Sequence, residues 1–290
     1  GGAAYQYHAF LWTPTTPNGA SGTLNDLGAL GGTYSVGTGI NNSGQVVGSA
    51  YTTEDAALHA FLWTPTTPNG VSGTMNDLGT LGGTHSSGYG VNASGQIAGQ
   101  SQTTGDAAYH AFLYDGDGAL HDLGTFGGTL SAGIGINAGG QVTGFSSTTG
   151  NAARHAFLYD GTMHDLGTLG GTDSLGSAIN AVGQVTGYSL TTGGAYHAFL
   201  YTSGSGMVDL NTLIDPLLGW ELSNATAVND GGQIAGYGII GGQTHAFLLT
   251  PVLEPASLAL LALGLPLIVC RNSRRSGSGG TRGAHGPMTV

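Results

Sequence analysis

The stretch Ile40-Asn41-Asn42-Ser43-Gly44-Gln45-Val46-Val47-Gly48, with His59-Ala60-Phe61-Leu62-Trp63 soon after it, decides the fold. Two apolar runs flank Asn-x-x-Gly, and Asn and Gly tolerate the positive φ that a tight hairpin turn requires. The same frame recurs at Asn92, Asn137, Asn180 and Asn229, each four residues before a Gln. His-Ala-Phe-Leu recurs at His8, His59, His110, His155, His197 and His245, spaced 51, 51, 45, 42 and 48 residues apart. Asp-Leu follows the first five copies at Asp26, Asp77, Asp122, Asp165 and Asp209. Gly interrupts nearly every window, and no stretch of the repeats keeps apolar residues at helical spacing.

Each repeat therefore reads as four short strands. In the second they are Val36–Asn41, Gln45–Tyr51, His59–Trp63 and Thr74–Gly79. Four strands in 40–50 residues is the size of one β-propeller blade. The apolar runs do not alternate with polar residues, as expected where both faces of a sheet are covered. The expected fold is an all-β propeller of about six four-stranded blades over residues 1–252. The first blade is incomplete, contributing Tyr7–Trp12 and Thr23–Gly28, and the last has three strands ending near Leu249. A five-bladed ring and a β-solenoid are the alternatives. After Asp209-Leu210, the run Ile214–Trp220 departs from the repeat and is expected to form an irregular inserted loop.

Composition narrows the function. The chain has 56 Gly and 9 Pro in 290 residues without a three-residue Gly period, which excludes collagen and implies many tight turns. It has no Lys, and Arg154 is the one base among residues 1–252, against 15 carboxylates. So acidic a body repels phosphate backbones, and no nucleic-acid partner is expected. Cys270 is the only cysteine, so no disulfide forms within the chain. Gly1-Gly2-Ala3-Ala4 leads straight into a repeat already under way, which suggests either a processed start or a piece of a longer chain.

After Pro251 the character changes. Leu253-Glu254-Pro255 precedes the uncharged run Ala256–Cys270, then Arg271-Asn272-Ser273-Arg274-Arg275 and a Gly/Ser-rich end. The reading is a sorting or transmembrane segment over 253–275 and a disordered tail over 276–290, with the Arg cluster on the cytoplasmic side.

The repeated residues invite site hypotheses. Six equivalent His suggest metal ligation, but a third strand stands roughly 10 Å beyond the innermost one, so His from different blades do not converge on one ion. A structural hydrogen bond from each His, to a turn or to the Asp of Asp-Leu-Gly, is the expected role. The Asp series is a candidate for calcium, yet each repeat offers few oxygen ligands. The acid pairs Asp115/Asp117 and Glu54/Asp55 occur in single repeats. No cofactor is expected, calcium being the one alternative. Trp12, Trp63, Tyr114, Tyr159 and Tyr201 share one repeat position and are expected in the core rather than stacked on sugars. The Asn series reads as turn formers. No nucleophile elbow, phosphate loop, His-Glu-x-x-His or paired Cys is present. Cys270 is read as a lipid-facing small residue. A propeller enzyme acting on glycans is the rival function, and it would need singular acids such as Glu221 or Asp173 at a central pocket.

Two resemblances follow from these residues. The six His-Ala-Phe copies make the body similar to the extracellular HAF-repeat family. Glu254-Pro255, the apolar run and Arg271, Arg274 and Arg275 resemble the PEP-CTERM sorting signal that exosortases process in Gram-negative bacteria. The resemblances imply export, with transient or permanent anchoring through the C-terminal segment, to the cell surface, outer envelope or extracellular matrix. They imply exosortase-type machinery as a partner and a non-catalytic surface or matrix role, with extracellular polysaccharide or envelope components as the expected binding partners.

Overall fold

The computed structural model describes residues 6–251. The expected sorting segment 253–275 and tail 276–290, including Glu254, Pro255, Cys270, Arg271, Arg274 and Arg275, lie outside the described residues. Among the described residues no helix is long and apolar enough to cross a membrane.

The fold is all-β, and its strands follow the repeat. The first repeat supplies β1 (Phe10–Pro14) and β2 (Gly22–Asp26), and the second β3 (Gly31–Ile40), β4 (Val46–Thr52), β5 (Leu58–Pro65) and β6 (Gly73–Asp77). The third supplies β7 (Gly82–Val91), β8 (Ile97–Thr103), β9 (Tyr109–Tyr114) and β10 (Leu120–Gly124). The fourth supplies β11 (Gly127–Ile136), β12 (Val142–Thr148), β13 (Arg154–Tyr159) and β14 (Met163–Asp165). The fifth supplies β15 (Gly170–Ile179), β16 (Val185–Thr191), β17 (Tyr196–Thr202) and β18 (Gly206–Asp209), and the last β19 (Trp220–Val228), β20 (Ile234–Ile240) and β21 (Gln243–Leu249).

The described residues divide into two compact units, one of residues 6–153 with 159–164, the other of 154–158 with 165–251. In the first, β3-β4-β5-β6 is an antiparallel four-stranded meander, the blade unit of a propeller. The strands β7 to β10 repeat it, while β1 and β2 form a lone hairpin. In the second, β15-β16-β17-β18 is another such meander and β19-β20-β21 a three-stranded one.

Every strand end expected in the second repeat shifts by at least one residue, and two of the shifts have a visible cause. The first strand of the second repeat begins at Gly31 rather than Val36, because Gly31 pairs with Thr52 across a register shift that ends at Ser35. The fourth ends at Asp77 rather than Gly79, because the Asp77 carboxylate accepts the Gly79 N–H at 2.7 Å and turns the chain. Trp220, expected in the irregular loop, opens β19. The loop itself holds 3-10 turns at Leu210–Thr212 and Pro216–Leu218, capped by the Asp209 and Asp215 side chains.

Both faces of the third strand are buried, which is why its sequence does not alternate. Ala60 and Phe61, Ala111 and Phe112, and Ala198 and Phe199 are all inaccessible to solvent. Burying one such Phe contributes roughly 1.5–3 kcal/mol. The first hairpin differs, since Ala9 is buried while Phe10 and Leu24 stand exposed.

Candidate functional site

The repeated His and Asp meet. His8 Nδ1 lies 2.9 Å from both Asp26 oxygens, and the same distances recur for His59 with Asp77, His110 with Asp122, and His155 with Asp165. His197 bonds Asp209 Oδ2 at 2.6 Å. A carboxylate only accepts, so Nδ1 carries the proton in each pair. The same Asp also accepts the N–H two residues on, at Gly28, Gly79, Gly124, Gly167 and Asn211. These bonds tie the third strand to the turn after the fourth. The ring of the sixth copy, His245, stands near that of Trp220. The His8 bond, then the Gly28 N–H, holds the Asp26 carboxyl below its ordinary value.

Three further hydrogen-bond series recur along the chain. Ser35 Oγ accepts the Ala9 N–H and donates to Gly28 O, both of the preceding repeat, and Ser86, Ser131 and Ser174 join their repeats to the preceding ones in the same way. Asp55, expected only as half of an acid pair, accepts both the N–H and the hydroxyl of Thr33, as Asp106 does for Thr84. Asn41 closes its turn by accepting from Ser43 and Gln45, and its amide donates to Asn92 O at 2.9 Å. Asn92 donates likewise to Asn137 O, and Asn180 to Asn229 O. The Asn series thus links neighbouring repeats as well as forming turns.

The aromatic series splits. Trp63 is buried in the core with Val46 and Phe61, and Tyr114, Tyr159 and Tyr201 are half-buried. Trp12, expected in the core, is 44% exposed; among the described residues β1 pairs with β2 alone, whereas β5 lies between β4 and β6. Asp115 and Asp117 converge with His121, whose Nε2 lies 3.0 Å from Asp117. All three are at least two-fifths exposed at the side chain and satisfy one another.

One cleft holds an ion pair that breaks the repeat. Arg154 opens β13 and pairs in parallel with Asp173 of β15. Other repeats place Tyr7, Leu58 or Tyr109 at the first position and Tyr34, His85 or Leu130 at the second. The guanidinium donates from Nε to Asp173 Oδ1 at 2.6 Å and from Nη2 to Oδ2 at 2.9 Å, a two-pronged pair. Nη2 also reaches the Tyr188 hydroxyl at 3.3 Å, and the Tyr196 hydroxyl donates to Asp173 Oδ2 at 3.0 Å. The Tyr188 and Tyr196 rings stand edge to face, 5.3 Å apart at 87°. Ser223, Asn224 and Tyr237 complete a cleft of about 500 Å³, within the size range of small-molecule sites. Tyr196 and Tyr237 are each more than two-fifths exposed.

The electrostatics follow from the ion pair. Its bond to Asp173 raises the Arg154 pKa, and the bond to the same carboxylate raises that of Tyr196. Burial raises Tyr188. All three hold their protons at neutral pH, and the Arg and Asp charges cancel. Sequence reasoning singled out Arg154 and Asp173 separately; the position of Tyr188 carries Ser49, Gln100 and Phe145 in the earlier repeats and Tyr237 in the last, so the alignment does not mark it. Glu221, the other singular acid, lies 3.9 Å from His197 Nε2 rather than in the cleft.

No protein-family model and no curated protein matches the chain. Among solved structures it is similar to TolB from Acinetobacter baumannii, at 11% identity and a TM-score of 0.48 over 73% of this chain and 50% of that one. It is also similar to a protein assigned as TolB from Agrobacterium tumefaciens, at 13% identity and 0.47 over 70% and 76%. A mutant of AofleA from Arthrobotrys oligospora shows 14% identity and 0.37 over 79% and 72%. The chain thus spans about half the length of the Acinetobacter protein.

Proposed function

We propose that the protein is a non-catalytic binding module, exported to the surface or extracellular matrix of a Gram-negative bacterium, where it engages polysaccharide or other envelope components. The observation that carries this reading is the division of labour among its polar residues. The repeated His and Asp are spent on one another, whereas Arg154 and Asp173, which break the repeat, pair with each other in a cleft lined by tyrosines. Glycoside hydrolysis needs two carboxyl groups flanking the bond, roughly 5–10 Å apart. The cleft holds a single carboxylate, Asp173, already engaged by Arg154 and Tyr196. Export and anchoring are supported by the resemblance of Glu254-Pro255, the apolar run and the Arg cluster to an exosortase signal.

Glycan-array binding by the whole chain, run beside an assay for released reducing ends, tests the reading. Saturable binding without release is expected. Release of sugar overturns it, as does failure to bind both polysaccharide and the isolated envelope of the host. Fractionation of the host is expected to place the chain in the envelope or medium.

A further inference from the structure

The cleft walled by Tyr188, Tyr196 and Tyr237 carries more chemistry than a structural joint needs. A buried ion pair that served stability alone would be as well replaced by apolar residues of similar volume. Here the pair sits at a cleft floor, with three tyrosine rings and their hydroxyls around it. The Asp173 carboxylate is mostly covered, at 14% side-chain exposure, and the Arg154 guanidinium is about one-third exposed. Both are held by two bonds to each other, so the polar groups that face the cleft are fixed in place before any ligand arrives.

The charge balance selects the ligand. An anion meets Asp173 and a body with one base against 15 carboxylates, so it is repelled. A cation meets the guanidinium, which already holds the one acid in the cleft. What suits the site is a neutral molecule with apolar faces and several hydroxyls. The faces stack on exposed tyrosine rings, and the hydroxyls exchange hydrogen bonds with a preorganised array of tyrosine hydroxyls, amide and guanidinium. The Tyr188 hydroxyl accepts from Arg154, which leaves its own proton for an incoming oxygen. Sugar rings present this combination of surfaces.

We infer that the Arg154–Asp173 cleft with Tyr188, Tyr196 and Tyr237 is a binding subsite for neutral glycan chains. The inference rests on the binding-module reading above and names its ligand class and its place. Tyr196 and Tyr237 supply the stacking surfaces, and Arg154 and Asp173 hold the hydroxyl-binding floor rigid.

Calorimetric titration of the whole chain with cellohexaose, mannohexaose and chitohexaose, with hexagalacturonate and with an uncharged peptide as controls, tests it. The wild-type protein is expected to bind at least one neutral hexasaccharide and neither control. Tyr196→Ala and Tyr237→Ala are each expected to weaken that binding about tenfold, the scale of losing one aromatic stacking contact. Tyr196→Phe, which keeps the ring, retains most of it. Should an alanine variant fail to fold, the ring resonances of Tyr196 and Tyr237 in the wild-type protein must shift on saturation with the sugar. Wild-type binding that both alanine variants keep, or that leaves those resonances still, overturns the cleft assignment and leaves the binding-module reading standing. Preference for hexagalacturonate or the peptide overturns the neutral-glycan assignment. Failure of every saccharide to bind overturns both.

Discussion

His59 Nδ1 lies 2.9 Å from each carboxylate oxygen of Asp77, joining the start of the third strand of a blade to the turn that leaves its fourth. The carboxylate accepts the Gly79 N–H as well, so one acid fixes both a side chain and a backbone turn. The His59 side chain is 20% exposed and that of Asp77 42%, so water screens the pair. His59→Ala is therefore expected to cost only about 1 kcal/mol. Asp77→Ala, which also frees the Gly79 N–H, is expected to cost more. Urea midpoints of the two variants and of the double variant measure the order and the coupling.

The pH dependence has a definite sign. Asp26 titrates below its ordinary 3.8, first because of its bond to His8 and then because of the Gly28 N–H. A depressed folded-state pKa adds stability that is present above the unfolded value and is lost as pH falls through the folded one. Asp106 shifts the same way through its bonds with Thr84. The urea midpoint is expected to decline as pH drops below about 4. His8→Ala should flatten that decline, and an unaltered slope would count against the His8–Asp26 bond as its source.

The serine latch matters more than the histidine pair although it carries no charge. Ser131 is wholly buried, accepts the Ala111 N–H at 2.8 Å and donates to Gly124 O at 2.6 Å. Ser131→Ala strands one backbone donor and one acceptor away from water, at about 2–4 kcal/mol. On the strand that this serine latches, His110→Ala should cost about 1 kcal/mol. Equal losses in the two variants would show that water enters and satisfies the vacated groups.

Glycine content has two separate causes, and they predict different costs. At Gly99 an added methyl would land on Ser87 O and the Phe112 ring, because the register shift between Gly88 and Gly90 presses β7 against β8. Neither neighbour is free to give way, and Gly99→Ala is expected to lose about 3 kcal/mol or more. Gly105 sits in open space at φ +71°, so Gly105→Ala incurs only the left-handed backbone penalty of about 1–2 kcal/mol. Thermal melts of the two single variants check the ranking.

The repeat itself was legible because its period carries the blade: Asn-x-x-Gly turns and apolar third strands recur with the chain's own spacing. The length of β3 was not legible. Gly31-Gly32-Thr33 reads as a turn, and its pairing with Thr52 depends on Asp55, 22 residues away, accepting from Thr33. The exposure of Trp12 was hidden for a similar reason, since its sequence position equals that of buried Trp63 and the two differ in pairing: among the described residues β1 pairs with β2 alone, while β5 lies between β4 and β6. The cleft was half legible. Arg154 and Asp173 stood out by charge, but the parallel bridge that sets them side by side, and the tyrosines beside it, belong to tertiary structure.

The link between repeats through Asn92 gives a test in which pH changes the answer. Asn92 is buried, its amide donating to Gln96 Oε1 at 2.7 Å and to Asn137 O at 3.0 Å, while its Oδ1 accepts from Ser94 and Gln96. Asn92→Asp keeps the accepting oxygen and replaces both donors with an acceptor. At pH 7 the new carboxylate then faces the Asn137 carbonyl at donor distance, in a site with little water, and is expected to destabilise the fold by about 3 kcal/mol or more. Burial beside a carbonyl favours the protonated acid, so its folded pKa lies above the unfolded one, and lowering the pH returns a proton that can donate to Asn137 O. By linkage the deficit against wild type shrinks as pH falls through that raised value. Urea midpoints of both proteins at pH 7 and pH 4.5 are expected to converge on acidification. A gap that stays constant would mean the Asn92 amide contributes to the turn alone and not to the bond between repeats.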